Sequence, residues 1–312
     1  MSTPNFADRL IAAIDEKGSC LAVGIDPRMD LLPQSIREAH TGSGLDGCAA
    51  AIEQFGKELI DAVKDLVPAV KPQVAFYERF GWQGFRAFCA TVRHAQAAGL
   101  IVIGDVKRSD IGSTVEAYAD GLLGAVECDG QDIEPVGVDA VTLNAYLGTD
   151  GVQPFLDVAK ERGRGVFVLV RTSNPSASEI QDLPCGRGTV YEAMAGLVAK
   201  WGESLCGNKG YSSVGAVVGA TYPDDAERLR KLLPRAIFLM PGVGAQKGDV
   251  GALRACFDDH GHGVLIAASR SIDYAYRAEP YKDELGESRW QEAAAAAARQ
   301  LNDEINAIRV QG

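Results

Sequence analysis

The chain has 312 residues, 46% hydrophobic and 23% charged, which supplies a sizeable core and argues against disorder. Its formal charge of −11 and pI near 4.9 disfavour general binding to nucleic acid or anionic membranes, because phosphate neutralisation needs clustered Lys and Arg. Any anionic ligand would have to meet a local cationic pocket, and the length fits either two small domains or one large barrel.

From the N-terminus, Phe6, Leu10, Ile11 and Ile14 fall on one face of an amphipathic helix, a pattern unlike a signal peptide. No apolar run reaches transmembrane length. Seven scattered cysteines lack the close pairing of zinc or redox sites, so reduced thiols in the cytoplasm and no bound metal are expected.

Short apolar runs rich in Val and Ile then alternate with helical segments. They lie at residues 19–26, 69–77, 100–107, 140–145, 165–172, 215–221, 236–244 and 263–270. Continuous apolar strands separated by helices imply a parallel sheet buried on both faces, and eight such units predict a single (β/α)8 TIM barrel over residues 1–312. A doubly wound open sheet is the competitor. The barrel is favoured because the runs end in polar side chains: Asp26, Lys71, Asp105 with Lys107, Asn144, Thr172, Thr221 and Arg270. In a barrel those ends meet at the active-site mouth.

Residues 40–48 and 127–137 read as surface insertions, and the Ala-rich tail from Glu287 to Val310 as a helix that closes the barrel. His260 and His262 precede the eighth run, at the opposite end of the barrel, and read as part of an exposed turn. Trp82 and Phe85 read as packing residues.

The most informative segment is GDVKRSDIGST, residues 104–114. Asp105 and Lys107 stand two apart, so an extended strand would put both on one face, with Asp110 in the turn and Thr114 beyond it. A surface ion pair at a strand end is the bland alternative, but alternating charges on an apolar strand are costly without a purpose.

VIGDVKRSDIGST resembles the signature of orotidine 5'-phosphate decarboxylases. GIDPR around Asp26, VKPQVAFYERFG around Lys71, TLNAYLGTDGVQPF, LVRTSNPS, PGVGAQKGD and AASRSI are similar, in order and spacing, to other segments of the longer bacterial branch. The resemblance implies a barrel without cofactor that converts orotidine 5'-phosphate to uridine 5'-phosphate. It implies that Asp26 binds the ribose and that Lys71, Asp105, Lys107 and Asp110 form the charged catalytic network. Ser173, or its neighbours Thr172 and Asn174, would hydrogen-bond the pyrimidine, and Gln246 and Arg270 would hold the phosphate. Asp110 and Thr114 would reach into the neighbouring subunit's site, which implies a homodimer.

The chemistry fits such a network. Loss of carbon dioxide from a vinylic ring carbon leaves a carbanion without an electron sink, so the protein must supply electrostatic stabilisation and a proton. Two other readings are compatible with parts of the pattern: a magnesium-dependent barrel acting on sugar phosphates, and a silent nucleotide-binding barrel. Lys71 argues against the first and the full charged network against the second.

Overall fold

The computed structural model describes residues 4–243 and 250–309. Eight parallel strands, β1 (Leu21–Ile25), β2 (Ala69–Pro72), β3 (Ile101–Arg108), β4 (Ala140–Leu143), β5 (Gly165–Arg171), β6 (Ser212–Val218), β7 (Ala236–Pro241) and β8 (Val264–Ala268), carry the expected apolar runs. They close into one barrel in the order β1-β8-β7-β6-β5-β4-β3-β2. Every residue of β1, β2, β4, β6 and β8 is buried. That is why these runs are continuous rather than alternating: both faces of a parallel barrel strand are covered.

The longer helices are α1 (Phe6–Lys17), α2 (Gly44–Val63), α3 (Gly81–Ala97), α4 (Gly112–Leu122), α5 (Gln153–Arg162), α6 (Val190–Gly202), α7 (Pro223–Leu232) and α8 (Trp290–Arg309). Two compact units can be distinguished among the described residues, one built from Ala13–Val106 with Ala268–Glu304 and the other centred on Lys107–Ala267.

In the first unit, α2 buries Ile52, Phe55, Gly56, Leu59, Ile60 and Val63, the three-and-four spacing of one helix face. Phe55 stacks on Trp290 at 5.0 Å and on Tyr274 at 5.8 Å. Ser19 Oγ donates to Asn302 Oδ1, and Asn302 Nδ2 donates to the Leu66 carbonyl, so the tail helix is tied by polar as well as apolar contacts.

In the second unit, the ring of Phe6 meets Phe167 edge-on at 6.0 Å. Gly165 makes room for it, since a Cβ there would strike the Phe6 ring. Helix α6 opens with a reciprocal capping box between Thr189 and Glu192. Arg230, from α7, lies over the Phe238 ring and donates to the carbonyls of Leu233, Ala236, Cys256 and Gly263.

Local departures from expectation have local causes. Strand β2 ends at Pro72, with one further bridge from Gln73 to Asp105, and Ala75–Glu78 then turns into helix instead of extending the strand to 77. The insertion at 127–137 contains a hairpin of Val126–Cys128 with Gln131–Ile133. Asp129 and Gly130 both take positive φ, at 53° and 75°, as a two-residue Asp-Gly hairpin turn requires. Trp82 is 67% exposed beneath the Arg86 guanidinium, so it does not pack into the core. Asp258 Oδ1 accepts the backbone N–H groups of His260 and His262, which explains their turn.

Candidate active site

The end of β2 and the body of β3 supply a buried ion pair: Lys71 Nζ donates to Asp105 Oδ2 at 2.7 Å, and each side chain is 8% exposed. Burial alone would depress the Lys71 ammonium. Asp105, then Asp26 and Asp273, more than offset that and hold it above the ordinary lysine value. The register places Gly24 of β1 opposite Lys71, so Asp26 follows directly from a strand paired with β2.

Gly24 is required by close approach, because a Cβ would collide with Ser269 Oγ. Just beyond Ser269, Asp273 is wholly buried and its Oδ2 accepts the Asp26 N–H at 3.1 Å. Burial, and then the charge of Asp26, raise its carboxyl well above the usual aspartate value. Sequence reading passed over Asp273, which looks like an ordinary exposed helix residue. The only local signal is an acid directly before Tyr274 and Tyr276 in a segment otherwise rich in small and apolar residues.

Lys107 departs from the geometry assumed for it. Its φ is 45°, so the pleat that aligns alternate side chains does not continue through this residue, and the two-residue spacing does not by itself set its direction. Such a backbone costs a non-glycine residue about 1–2 kcal/mol. The Lys107 N–H donates to Thr142 Oγ1 at 3.1 Å, and Asn144 N–H donates to the Arg108 carbonyl, which fixes this strand end against the end of β4. Strain held by surrounding bonds at an ionisable residue points to function.

Asp110 accepts the Ile111 N–H through Oδ1, and Thr114 is exposed in the first turn of α4. Around them, Ile111 is 54% exposed, Tyr146 82% and Leu147 45%. The Leu147 side chain and the Asp110 carbonyl both border Gly151, which brings these loops together.

At the end of β5, Arg171 pairs with Asp182 at 2.7 Å and Asp225 at 2.9 Å, with its guanidinium 4.3 Å from the centre of the Tyr222 ring and 5.1 Å from that of Tyr191. It thereby anchors the segment carrying Thr172, Ser173 and Asn174. Thr172 Oγ1 donates to Asn174 Oδ1 and accepts from Gln181 Nε2. Ser173 Oγ has no hydrogen-bond partner among the described residues. Gly219 donates to the Arg171 carbonyl, and a Cβ at 219 would stand 3.0 Å from the Ser173 nitrogen. Glycine there lets the Ser173 backbone lie close to the end of β6.

Arg270 begins the helical turn after β8, exposed and without an ion-pair partner among the described residues. Gln246 lies outside the described residues.

The chain matches the model of the Orotidine 5'-phosphate decarboxylase / HUMPS family over residues 21–279. It is 46% identical over 300 residues to an orotidine 5'-phosphate decarboxylase of Rhodopirellula baltica, covering 96% of this chain and 98% of that one. A second decarboxylase, from Caldicellulosiruptor bescii, is 36% identical over 306 residues, with 97% and 98% covered. The solved structure of Leishmania donovani OMP decarboxylase superposes with a TM-score of 0.75 at 32% identity, covering 99% of this chain and all of that one. The order of barrel strands, the buried Lys71–Asp105 pair and the match across nearly the whole chain agree: this protein belongs to the Orotidine 5'-phosphate decarboxylase / HUMPS family.

Proposed function

We propose that this chain is a carboxy-lyase that converts orotidine 5'-phosphate to uridine 5'-phosphate in pyrimidine biosynthesis, as a single barrel domain working in the cytoplasm without a cofactor. The observation that carries the reading is the 2.7 Å pair of Lys71 with Asp105, set in a chain that runs the full length of relatives bearing the decarboxylase name.

Lys107 stabilises the carbanion that forms at C6 as carbon dioxide leaves, then protonates that carbon. Asp105, held by Lys71, lies beside the substrate carboxylate and disfavours the ground state relative to the transition state, in which that charge is dispersed. Asp26 binds the ribose, and Ser173 hydrogen-bonds the pyrimidine. The choice of Ser173 is supported by the internal bonds that already occupy Thr172 and Asn174. Gln246 and Arg270 hold the phosphate, and the exposed Arg270 guanidinium suits that role.

The active unit is a homodimer in which Asp110 and Thr114 complete the partner's site. The exposed apolar Ile111, Tyr146 and Leu147 beside them support that reading, because such a patch is characteristic of an interface. Among the described residues no helix is long and apolar enough to cross a membrane.

The test is loss of orotidine 5'-phosphate absorbance with purified protein in excess chelator. Rapid turnover is expected. No turnover, with activity on a sugar phosphate once magnesium is restored, would overturn the reading.

A further inference from the structure

The segment that follows β1 is held by side chains from one short stretch beyond β8. Asp26 N–H donates to Asp273 Oδ2 at 3.1 Å, and the Tyr274 hydroxyl donates to the Asp26 carbonyl at 2.7 Å. The same hydroxyl accepts the Arg28 N–H at 2.7 Å, and the Tyr276 hydroxyl donates to the Leu31 carbonyl at 2.6 Å. Asp26 is therefore gripped at its own N–H and its own C=O by consecutive residues.

The grip is itself rigidly held. Asp273 is 0% exposed and Tyr274 5%, and Tyr274 stacks on Phe55, which stacks on Trp290. The Asp273 Oδ1 atom is buried with no hydrogen-bond partner among the described residues. A hydrophobic residue would fill the same volume without burying a carboxyl, so the acid has to be accounted for by what its oxygens do.

We infer that Asp273 is a positioning residue: a neutral acid whose Oδ2 accepts the Asp26 amide and, with Tyr274, fixes the backbone from which Asp26 reaches the ribose. The inference rests on the reading of Asp26 as the ribose ligand. Oδ2 accepts the Asp26 N–H, so the neutral acid carries its proton on Oδ1. The groups that face it are Asp26, Lys71, Tyr77 and Tyr274, with Asp105 behind Lys71. A second negative charge beside Asp26 would compete for Lys71 and weaken its pairing with Asp105, whereas a neutral acid leaves that pair intact.

Three variants test this: Asp273→Asn, which keeps an acceptor and no charge; Asp273→Leu, which removes the acceptor; and Tyr274→Phe, which keeps the stack and removes the hydroxyl. Steady-state kinetics on orotidine 5'-phosphate are read alongside amide hydrogen exchange at Asp26 and Arg28. The Asn variant is expected to keep kcat/KM within about threefold of wild type, with an unchanged acid limb of its pH profile. The Leu and Phe variants are expected to lose about tenfold or more, mainly through KM, and to exchange faster at Asp26 or Arg28.

An Asn variant as impaired as the Leu variant would overturn the neutral-acid assignment. If the Leu variant does not fold, Tyr274→Phe decides, and a folded Phe variant with unchanged KM would overturn the positioning role. If wild-type protein does not decarboxylate the substrate, the functional reading falls and the ribose role with it. Exchange at the two amides would then still decide separately whether the grip exists.

Discussion

The Lys71 ammonium stands 2.7 Å from Oδ2 of Asp105, with both side chains 8% exposed. Removing one member of such a pair leaves a buried charge without its nearest counter-charge, at a cost of about 3–5 kcal/mol. Lys71→Met is expected to lose stability on that scale in urea and to lose turnover by about a hundredfold or more. The ammonium is held above its ordinary value of 10.5. Its contribution is therefore fully present below that pH and lost as pH rises through the folded value, and the gap between wild type and variant should narrow in alkaline urea titrations. A constant gap would count against the pair.

Asp273 has the opposite consequence for neutral stability. Its carboxyl is raised well above 3.8 by burial and by Asp26, so below that pH both the folded and unfolded chains carry the proton. As pH rises from 3.8, the unfolded chain ionises first and the folded state loses ground until its own carboxyl titrates. Asp273→Asn should therefore gain stability over wild type with rising pH and show the smallest gain in acid. Denaturant melts across that range would check the sign.

Arg171 joins Asp182 to Asp225 behind the segment that carries Ser173. Because Asp182 is 40% exposed, the loss for Arg171→Met is discounted to about 2 kcal/mol. Freed of its anchor, the stretch from residue 172 to 189 should be cut earlier in limited proteolysis, and KM should rise more than kcat falls. Unchanged cleavage at this stretch would show that the guanidinium does not anchor it.

If Asp110 completes a neighbour's site, two inactive chains should rescue one another. Mixing Lys107→Ala with Asp110→Ala in equal amounts, after dissociation and reassociation, gives hybrid dimers with one intact site each. That restores about a quarter of wild-type activity. No recovery, in a mixture shown to exchange subunits, would place Asp110 in its own chain's site or outside the chemistry.

Arg230 answers four backbone carbonyls at once, and burial lowers its guanidinium below the ordinary arginine value. Arg230→Met keeps the packing over Phe238 but leaves those acceptors unsatisfied. A loss of about 3 kcal/mol is expected from calorimetry, with KM unchanged.

The barrel was legible because the strands are short, mainly apolar runs separated by helical segments, and all eight overlap the expected runs, with β2 ending early and β6 beginning three residues sooner. Asp105 was legible as a charge on an otherwise apolar strand, and Lys71 entered the charged network only through the family resemblance; that these two pair with one another is a finding of the structure. Asp273 was not legible, since its burial comes from Tyr274, Phe55 and Trp290, brought together from distant parts of the chain. The Asp-Gly hairpin at 129 and 130 was readable in principle, but the flanking strands are only three residues each and mostly exposed, too short for an alternating pattern to stand out. The turn of the backbone at Lys107 had no signal, because lysine carries no preference for positive φ.

That turn changes how an alanine variant at 107 must be interpreted. Alanine removes the amine but still has to adopt φ of 45°, so the polypeptide can relax toward an extended path and carry Asp110 with it. Glycine removes the amine and accepts the conformation freely. The pair of variants separates the two losses: equal rates would assign the whole defect to the missing amine, and a faster glycine variant would measure the share that belongs to the main chain.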